Sequence, residues 1–230
     1  FKRNLKSLDQ IKNLVSNIKN LTKNKHFPVL IDEEGSSVTR LRNIINNDIS
    51  ANFFGNLYKE NKTFALRILR HYIDSLSNIL INLGININTI PVLDVLRKNT
   101  SKVIGNRSFS KNKNIVRELG KFTIDQLNKN KIGSVAKHIP GHGSATIDSH
   151  KKMPKIPLSQ KVLKNIDFYP FKGSKAKFAM TAHILYKKID NKNVSTFSKT
   201  IIQKIIRKKI GFNGILITDD ISMKALKNDL

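Results

Sequence analysis

The chain has 230 residues, no cysteine, and 42 Lys and Arg against 16 Asp and Glu, for a formal net charge of +26. Without cysteine a disulfide framework, a thiolate zinc site and a cysteine nucleophile are excluded, and a reducing, cytoplasmic setting is the compatible one. The cations are spread through every segment beside abundant Asn and Ile, so neither nucleic acid nor an anionic membrane is expected as a partner, and no apolar run approaches the roughly 18 residues that span a bilayer.

Leu8, Ile11, Leu14, Val15, Ile18 and Leu21 recur at helical spacing, and Pro28 to Ile31 then reads as a buried strand ending at Asp32. A long amphipathic segment from Thr63 to Leu83 precedes a strand over Ile85 to Ile90, stopped by Pro91. A helix over Ile115 to Leu127 leads into a strand over Ile132 to Ala136, and the less regular Leu158 to Ile166 leads into one over Phe178 to Thr181. A helix over Thr200 to Ile210, closed by Gly211, leads into Gly214 to Thr218 and the pair Asp219-Asp220.

Five strand candidates, each following a helix, predict an α/β fold with a parallel sheet and right-handed crossovers. Asp32, Pro91 to Asp94, Lys137-His138, His183 and Asp219 all fall at the C-terminal ends of these strands. In a barrel such ends converge on one face, where active sites are built. No glycine-rich nucleotide fingerprint follows a strand, which disfavours an open doubly wound sheet. The expected fold is therefore a (β/α)8 TIM-type barrel, incomplete at both ends because a closed barrel needs eight strands. The span 1–230 is read as a single domain truncated at both termini, and such a segment in isolation, with its sheet edges unpaired, is expected to aggregate.

The densest chemistry lies between Lys137 and His150. Pro140, Gly141 and Gly143 turn the chain sharply around His142. Lys137 and His138 at one strand end suit binding of hydroxyl and carbonyl oxygens. The spacing of Asp148 and His150 lets a carboxylate accept an imidazole N–H, as in an acid/base dyad, although an Asx-turn aspartate beside a solvated histidine has the same spacing. A zinc site from His138, His142 and His150 is an alternative, disfavoured by the lack of a paired helical HExxH spacing, and neither metal nor cofactor is expected. Adjacent side chains of a strand face opposite ways, so of Asp219 and Asp220 one is expected to point into the barrel mouth and the other to serve as a cap.

The segment Lys137 to His150 resembles the signature of the β-N-acetylhexosaminidases of glycoside hydrolase family 3, bacterial enzymes that remove N-acetylglucosamine from cell-wall muropeptides. Supporting matches lie in order along the whole chain: Ile31 to Gly35 with Arg40-Leu41, Pro91 to Val95, Ile104 to Phe109, Met180 to His183, and Gly211 to Met223. The resemblance implies a (β/α)8 barrel with Asp219 as nucleophile and His150 as general acid/base oriented by Asp148. It implies Asp32, Arg40, Arg107, Lys137 and His138 as ligands of the sugar, with Gly141 and Gly143 as hinges of a moving loop. The implied reaction is a retaining double displacement through a glycosyl-enzyme, carried out by a monomer on small N-acetylglucosaminides and muropeptides. Most retaining glycosidases use a second carboxylate as acid/base, so a histidine departs from the common scheme. Because a histidine carries no negative charge to repel phosphate, a retaining phosphorylase is the nearest alternative. The chain also departs from the family at Ser36-Ser37, where a second glycine and an arginine are usual, which leaves a catalytically degenerate sugar-binding relative as the other alternative.

Overall fold

A computed structural model describes residues 4–226. Helix α1, Leu8–Leu21, starts where the Ser7 hydroxyl accepts the Gln10 N–H, and it buries Ile11 and Val15. After strand β1, Leu30–Ile31, come α2, Ala51–Glu60, and α3, Lys62–Asn82, capped by Ser50 and Asn61. The sequence periodicity shows α3 but not α2, whose interior holds Gly55, a poor helix former. Helix α2 packs so closely that a Cβ on Gly55 would lie 1.7 Å from the Phe109 carbonyl oxygen. Tertiary packing overrides propensity there.

Strand β2, Ile87–Asn88, is followed by α4, Lys113–Lys129, and by β3, Gly133–Ile139. Next come β4, Lys155–Ile156, α5, Gln160–Asn165, β5, Phe178–Thr181, and β6, Leu185–Tyr186. The last pair is α6, Ile201–Ile210, and β7, Ile215–Thr218. Helix α6 is wound with π-type i→i+5 bonding where the sequence predicts an ordinary helix. Its buried residues, Ile201, Ile205, Ile206 and Ile210, recur at the spacing that this wider winding favours.

Strands β1, β2, β3, β5 and β7 form one five-stranded sheet in that order, every pair parallel. The order is sequential with no reversal, so the topological switch point of a doubly wound sheet is missing among the described residues. The result is a curled half-barrel. Closure through eight strands is not present among the described residues, where β1 and β7 are the edges and Leu30 and Ile215 are 44% and 59% exposed. Strands β4 and β6 make a separate parallel pair beside the C-terminal ends of β3 and β5. No described helix is long and apolar enough to cross a membrane.

The main core lies between the helices and one face of the sheet, where Ala136, Ile139 and Ala179 meet Leu69, Ile73, Val116, Leu119, Ile205 and Ile206. Side chains alternate along a strand. Val135 and Met180 therefore face the other side, where with Ile87 they form a small second cluster. Lys137, two residues beyond Val135, shares that inner face and is carried toward the mouth of the half-barrel.

One boundary shift matters for the site. The predicted strand stops at Ala136, whereas β3 continues to Ile139, pairing Lys137 with Met180 and Ile139 with Thr181. Lys137 and His138 thus belong to the strand and inherit its rigidity. The register shifts between Lys137 and Ile139.

Candidate active site

The C-terminal end of β1 delivers three acidic residues with three different fates. Glu33 is fully buried and accepts hydrogen bonds from Thr39 Oγ1 (2.5 Å), Arg40 N (2.8 Å), Leu41 N (3.0 Å) and Asn47 Nδ2 (2.7 Å). It pins the loop after β1 and so places Arg40, whose Nη2 lies 2.7 Å from Asp32 Oδ2. Asp32 also accepts from the Thr89 hydroxyl and faces Lys137 Nζ at 3.5 Å. Burial raises its carboxyl, but Lys137, Thr89 and Arg40 together outweigh that and hold it well below the usual carboxylate range.

Glu34 is the buried counter-charge of the site. Lys137 Nζ sits 2.6 Å from its Oε1, and Arg107 grips it in two-pronged fashion through Nε at 2.8 Å and Nη2 at 2.9 Å. Burial opposes ionisation here too, yet the two cations bring the Glu34 carboxyl down to about 2. Lys137 Nζ also donates to Thr89 Oγ1 at 2.8 Å, so three partners surround a side chain that is only 2% exposed.

Asp94, at the end of the strand-like Pro91-Val-Leu run, orients the histidines. His138 Nδ1 donates to Asp94 Oδ2 at 2.7 Å, which leaves Nε2 as an acceptor facing Arg107 Nη2 at 3.4 Å. The second Asp94 oxygen takes the backbone N–H of His142 at 2.5 Å. Burial first, with the nearby Arg107 guanidinium, outweighs the Asp94 charge and pushes His142 down to about 4.

Between about 4 and the ordinary value of 6.5 the unfolded chain takes up a proton that folded His142 does not, so stability is present above 6.5 and is lost as pH falls toward 4. The loss attributable to this ring is on the order of 3 kcal/mol. Buried His183, also pushed down by burial, acts in the same direction. Urea unfolding of the encoded protein at pH 7 and pH 4.5 is expected to show this decline, and His142→Gln is expected to flatten it. A stability that is level over that interval would contradict the buried neutral imidazole.

Beyond β3 the chain is held tightly. A Cβ on Gly143 would lie 2.0 Å from the Val95 carbonyl oxygen, and Gly141, at φ +135°, backs onto Asp167. Close backbone approach therefore accounts for the glycines that the sequence reading takes as hinges. Further along, His150 Nδ1 and Asp148 Oδ1 are 2.8 Å apart, and the same oxygen accepts His150 N at 2.9 Å. The dyad and the Asx-type turn are thus both present. The His150 side chain is 56% exposed, so the pair contributes little to stability and is free to meet a ligand.

Asp219 and Asp220 divide as their adjacency requires. Asp219 lines the pocket and accepts the Asp220 N–H at 2.8 Å, while Asp220 caps Ser222 through its N at 2.8 Å and Oγ at 2.7 Å. Ser222, then His150 and His183, hold the Asp220 carboxyl below its ordinary value, the His150 loop lying beside the end of β7. Ala225 N donates to Ser149 O at 3.2 Å across the same junction.

One open pocket gathers Asp32, Arg40, Arg107, Lys137 and His138 with His150 and Asp219, and Asp148 stands behind His150. Sequence reasoning leaves Glu34, Asp94 and His142 out of the site, although all three sit within two residues of positions it names or in the strand-end segments it marks. No sequence signal says which of three consecutive acidic residues meets a lysine about a hundred positions away. Among the described residues no group of three or more His, Asp or Glu side chains is arranged to hold a metal ion.

A parallel sheet in sequential order, with an acid–base pocket at the C-terminal ends of its strands, places the chain among half-barrel and barrel α/β proteins. The family described as the glycosyl hydrolase family 3 N terminal domain matches residues 1–229, and the chain belongs to that family. A β-hexosaminidase of Alkalilimnicola ehrlichii is 32% identical over 231 residues, covering 98% of this chain and 65% of the relative. The crystal structure of native NagZ from Neisseria gonorrhoeae superposes with a TM-score of 0.89 at 31% identity, covering 97% of this chain and 66% of that one. NagZ from the same organism in complex with N-trifluoroacetyl-D-glucosamine gives a TM-score of 0.88 at 31% identity, covering 96% and 66%. The chain thus spans just under two thirds of the length of these relatives.

Proposed function

We propose that this chain is the catalytic part of a retaining exo-β-N-acetylglucosaminidase acting on N-acetylglucosamine-containing muropeptides. The observation that carries the reading is the convergence of Asp219 and the Asp148-His150 pair on one pocket whose remaining polar lining is the Asp32, Arg40, Arg107, Lys137 and His138 set. A relative of the same fold binds an N-acylated glucosamine, which supports the substrate class.

In this reading Asp32, half-exposed and ionised, accepts from sugar hydroxyls, and Arg107, Lys137 and Nε2 of His138 complete the grip. Asp219 attacks the anomeric carbon and displaces the aglycone oxygen, which takes the proton of the His150 imidazolium. Neutral His150 then removes a proton from the water that releases the sugar and restores the Asp219 carboxylate. Asp148 holds the ring in the tautomer that both steps need. The sheet is read as part of a (β/α)8 barrel within a single catalytic domain, since further strands would pair the open edges of β1 and β7. A cytoplasmic monomer completes the reading.

The test is the fate of an aryl β-N-acetylglucosaminide given to the encoded protein and followed by proton NMR. β-N-acetylglucosamine is expected as the first sugar product. The α-anomer appearing first, or no turnover, would overturn the retaining mechanism. If phosphate in the buffer diverted the product to N-acetylglucosamine 1-phosphate, the enzyme would be a phosphorylase.

A further inference from the structure

His183 is buried, 1% exposed, at the end of β5, and the mechanism above gives it no task. Its Nε2 lies 3.2 Å from the main-chain carbonyl of Asp220, and its Nδ1 lies 2.7 Å from Thr196 Oγ1. A carbonyl oxygen only accepts, so Nε2 carries the proton, and with the ring neutral Nδ1 accepts from the Thr196 hydroxyl at 2.7 Å, closer than the Ala182 carbonyl at 3.2 Å. Thr181 Oγ1, 3.2 Å from Thr196 Oγ1, is then free to donate to it. The hydrogen bonds run in one direction from Thr181 through Thr196 and His183 to the carbonyl of Asp220. Burial keeps the imidazole neutral, as this chain of donors requires.

What this chain holds is the turn that carries Asp219. The Asp220 N–H donates to the Asp219 carboxylate, and the Asp220 carboxylate caps Ser222. The carbonyl accepts the Met223 N–H at 3.1 Å within the turn and His183 as a second donor from beyond β5, so His183 ties the turn, and with it the Asp219 carboxylate, to the sheet. We propose that His183 is a positioning residue for Asp219, aiming its carboxylate through the Asp220 main chain without touching the substrate. The inference rests on the reading of Asp219 as nucleophile.

The sugar-holding groups, Asp32, Arg107, Lys137 and His138, make no hydrogen bond to His183. Loss of aim is therefore expected in the chemical step and not in sugar affinity. An ångström of misplacement costs about a hundredfold in rate. In the encoded protein, His183→Phe is expected to lower kcat/KM for an aryl β-N-acetylglucosaminide about a hundredfold, with the inhibition constant for N-acetylglucosamine unchanged. His183→Gln supplies both a donor and an acceptor and is expected to recover most of that loss. Thr196→Val, which removes the donor to Nδ1, is expected to cost about tenfold and serves where His183→Phe does not fold.

Glutamine no better than phenylalanine, or inhibition weakening in step with kcat/KM, would reduce His183 to ordinary packing and overturn the proposal. So would a His183→Phe protein of native activity. Asp219→Ala, assayed alongside, separates the two claims: activity in that variant removes the nucleophile assignment itself, whereas an inactive Asp219→Ala beside an unimpaired His183→Phe removes only the positioning role.

Discussion

Asp219→Ala is expected to lower kcat/KM for an aryl β-N-acetylglucosaminide by at least about a thousandfold, equivalent to roughly 4 kcal/mol of transition-state stabilisation. The fold should survive the change. Asp219 is only partly buried, and among the described residues its carboxylate has one hydrogen-bond donor, the adjacent Asp220 N–H, and no cation within salt-bridge distance. Removing it therefore leaves no buried group unpaired among the described residues, and the loss falls on the nucleophilic step. Circular dichroism and melting temperature close to those of the parent protein, with turnover gone, are the outcome that fits. If Asp219→Ala hydrolysed the substrate as the parent does, the double displacement assigned to this pocket would be wrong.

The second large effect is on stability. Lys137→Met removes the charge that sits 2.6 Å from Glu34 and 3.5 Å from Asp32 while keeping most of the side-chain volume. Breaking a buried ion pair from one side costs about 3–5 kcal/mol, because the partner charge stays behind without compensation. Arg107 still holds Glu34, which sets the lower end of the range as the expected value. Urea unfolding at pH 7 is the measurement, and a loss below about 1 kcal/mol would mean that solvent reaches Glu34 freely. Adding Glu34→Gln to Lys137→Met takes the buried counter-charge from Arg107, so the double variant is expected to lose more than Lys137→Met alone. The Glu34 carboxyl, held at about 2, adds an acid dependence of its own: its contribution is complete above the ordinary 4.5 and is lost as pH falls toward 2.

Much of the fold was legible because the signals are local. The five strand candidates are the five strands of the main sheet, and α1, α3, α4 and α6 fall where helical spacing indicates. The misses have local causes as well. The helical signal of α2 is weakened by Gly55, which packs closely against Phe109, and β3 outlasts its apolar run because pairing with β5 continues through Lys137 to Ile139. The small β4–β6 pair has two residues in each strand, too short for any periodicity to register.

The residues of the candidate site could be named from the sequence, but not the contacts among them. The family resemblance implied eight residues; seven line one pocket, and the eighth, Asp148, is bonded to His150. The sequence by itself determined the α/β alternation, the family and the kinds of chemistry available, since periodicity and motif spacing are properties of neighbouring residues. Only the tertiary structure decided that Lys137 answers to Glu34 more closely than to Asp32, that Asp94 sets the tautomer of His138, and that His183 reaches the turn of Asp219. Those choices join residues such as Glu34 and Arg107, 73 positions apart, or Asp32 and Lys137, 105 apart. Electrostatic pairing depends on distance in space and on burial, and neither exists until the strands are laid side by side.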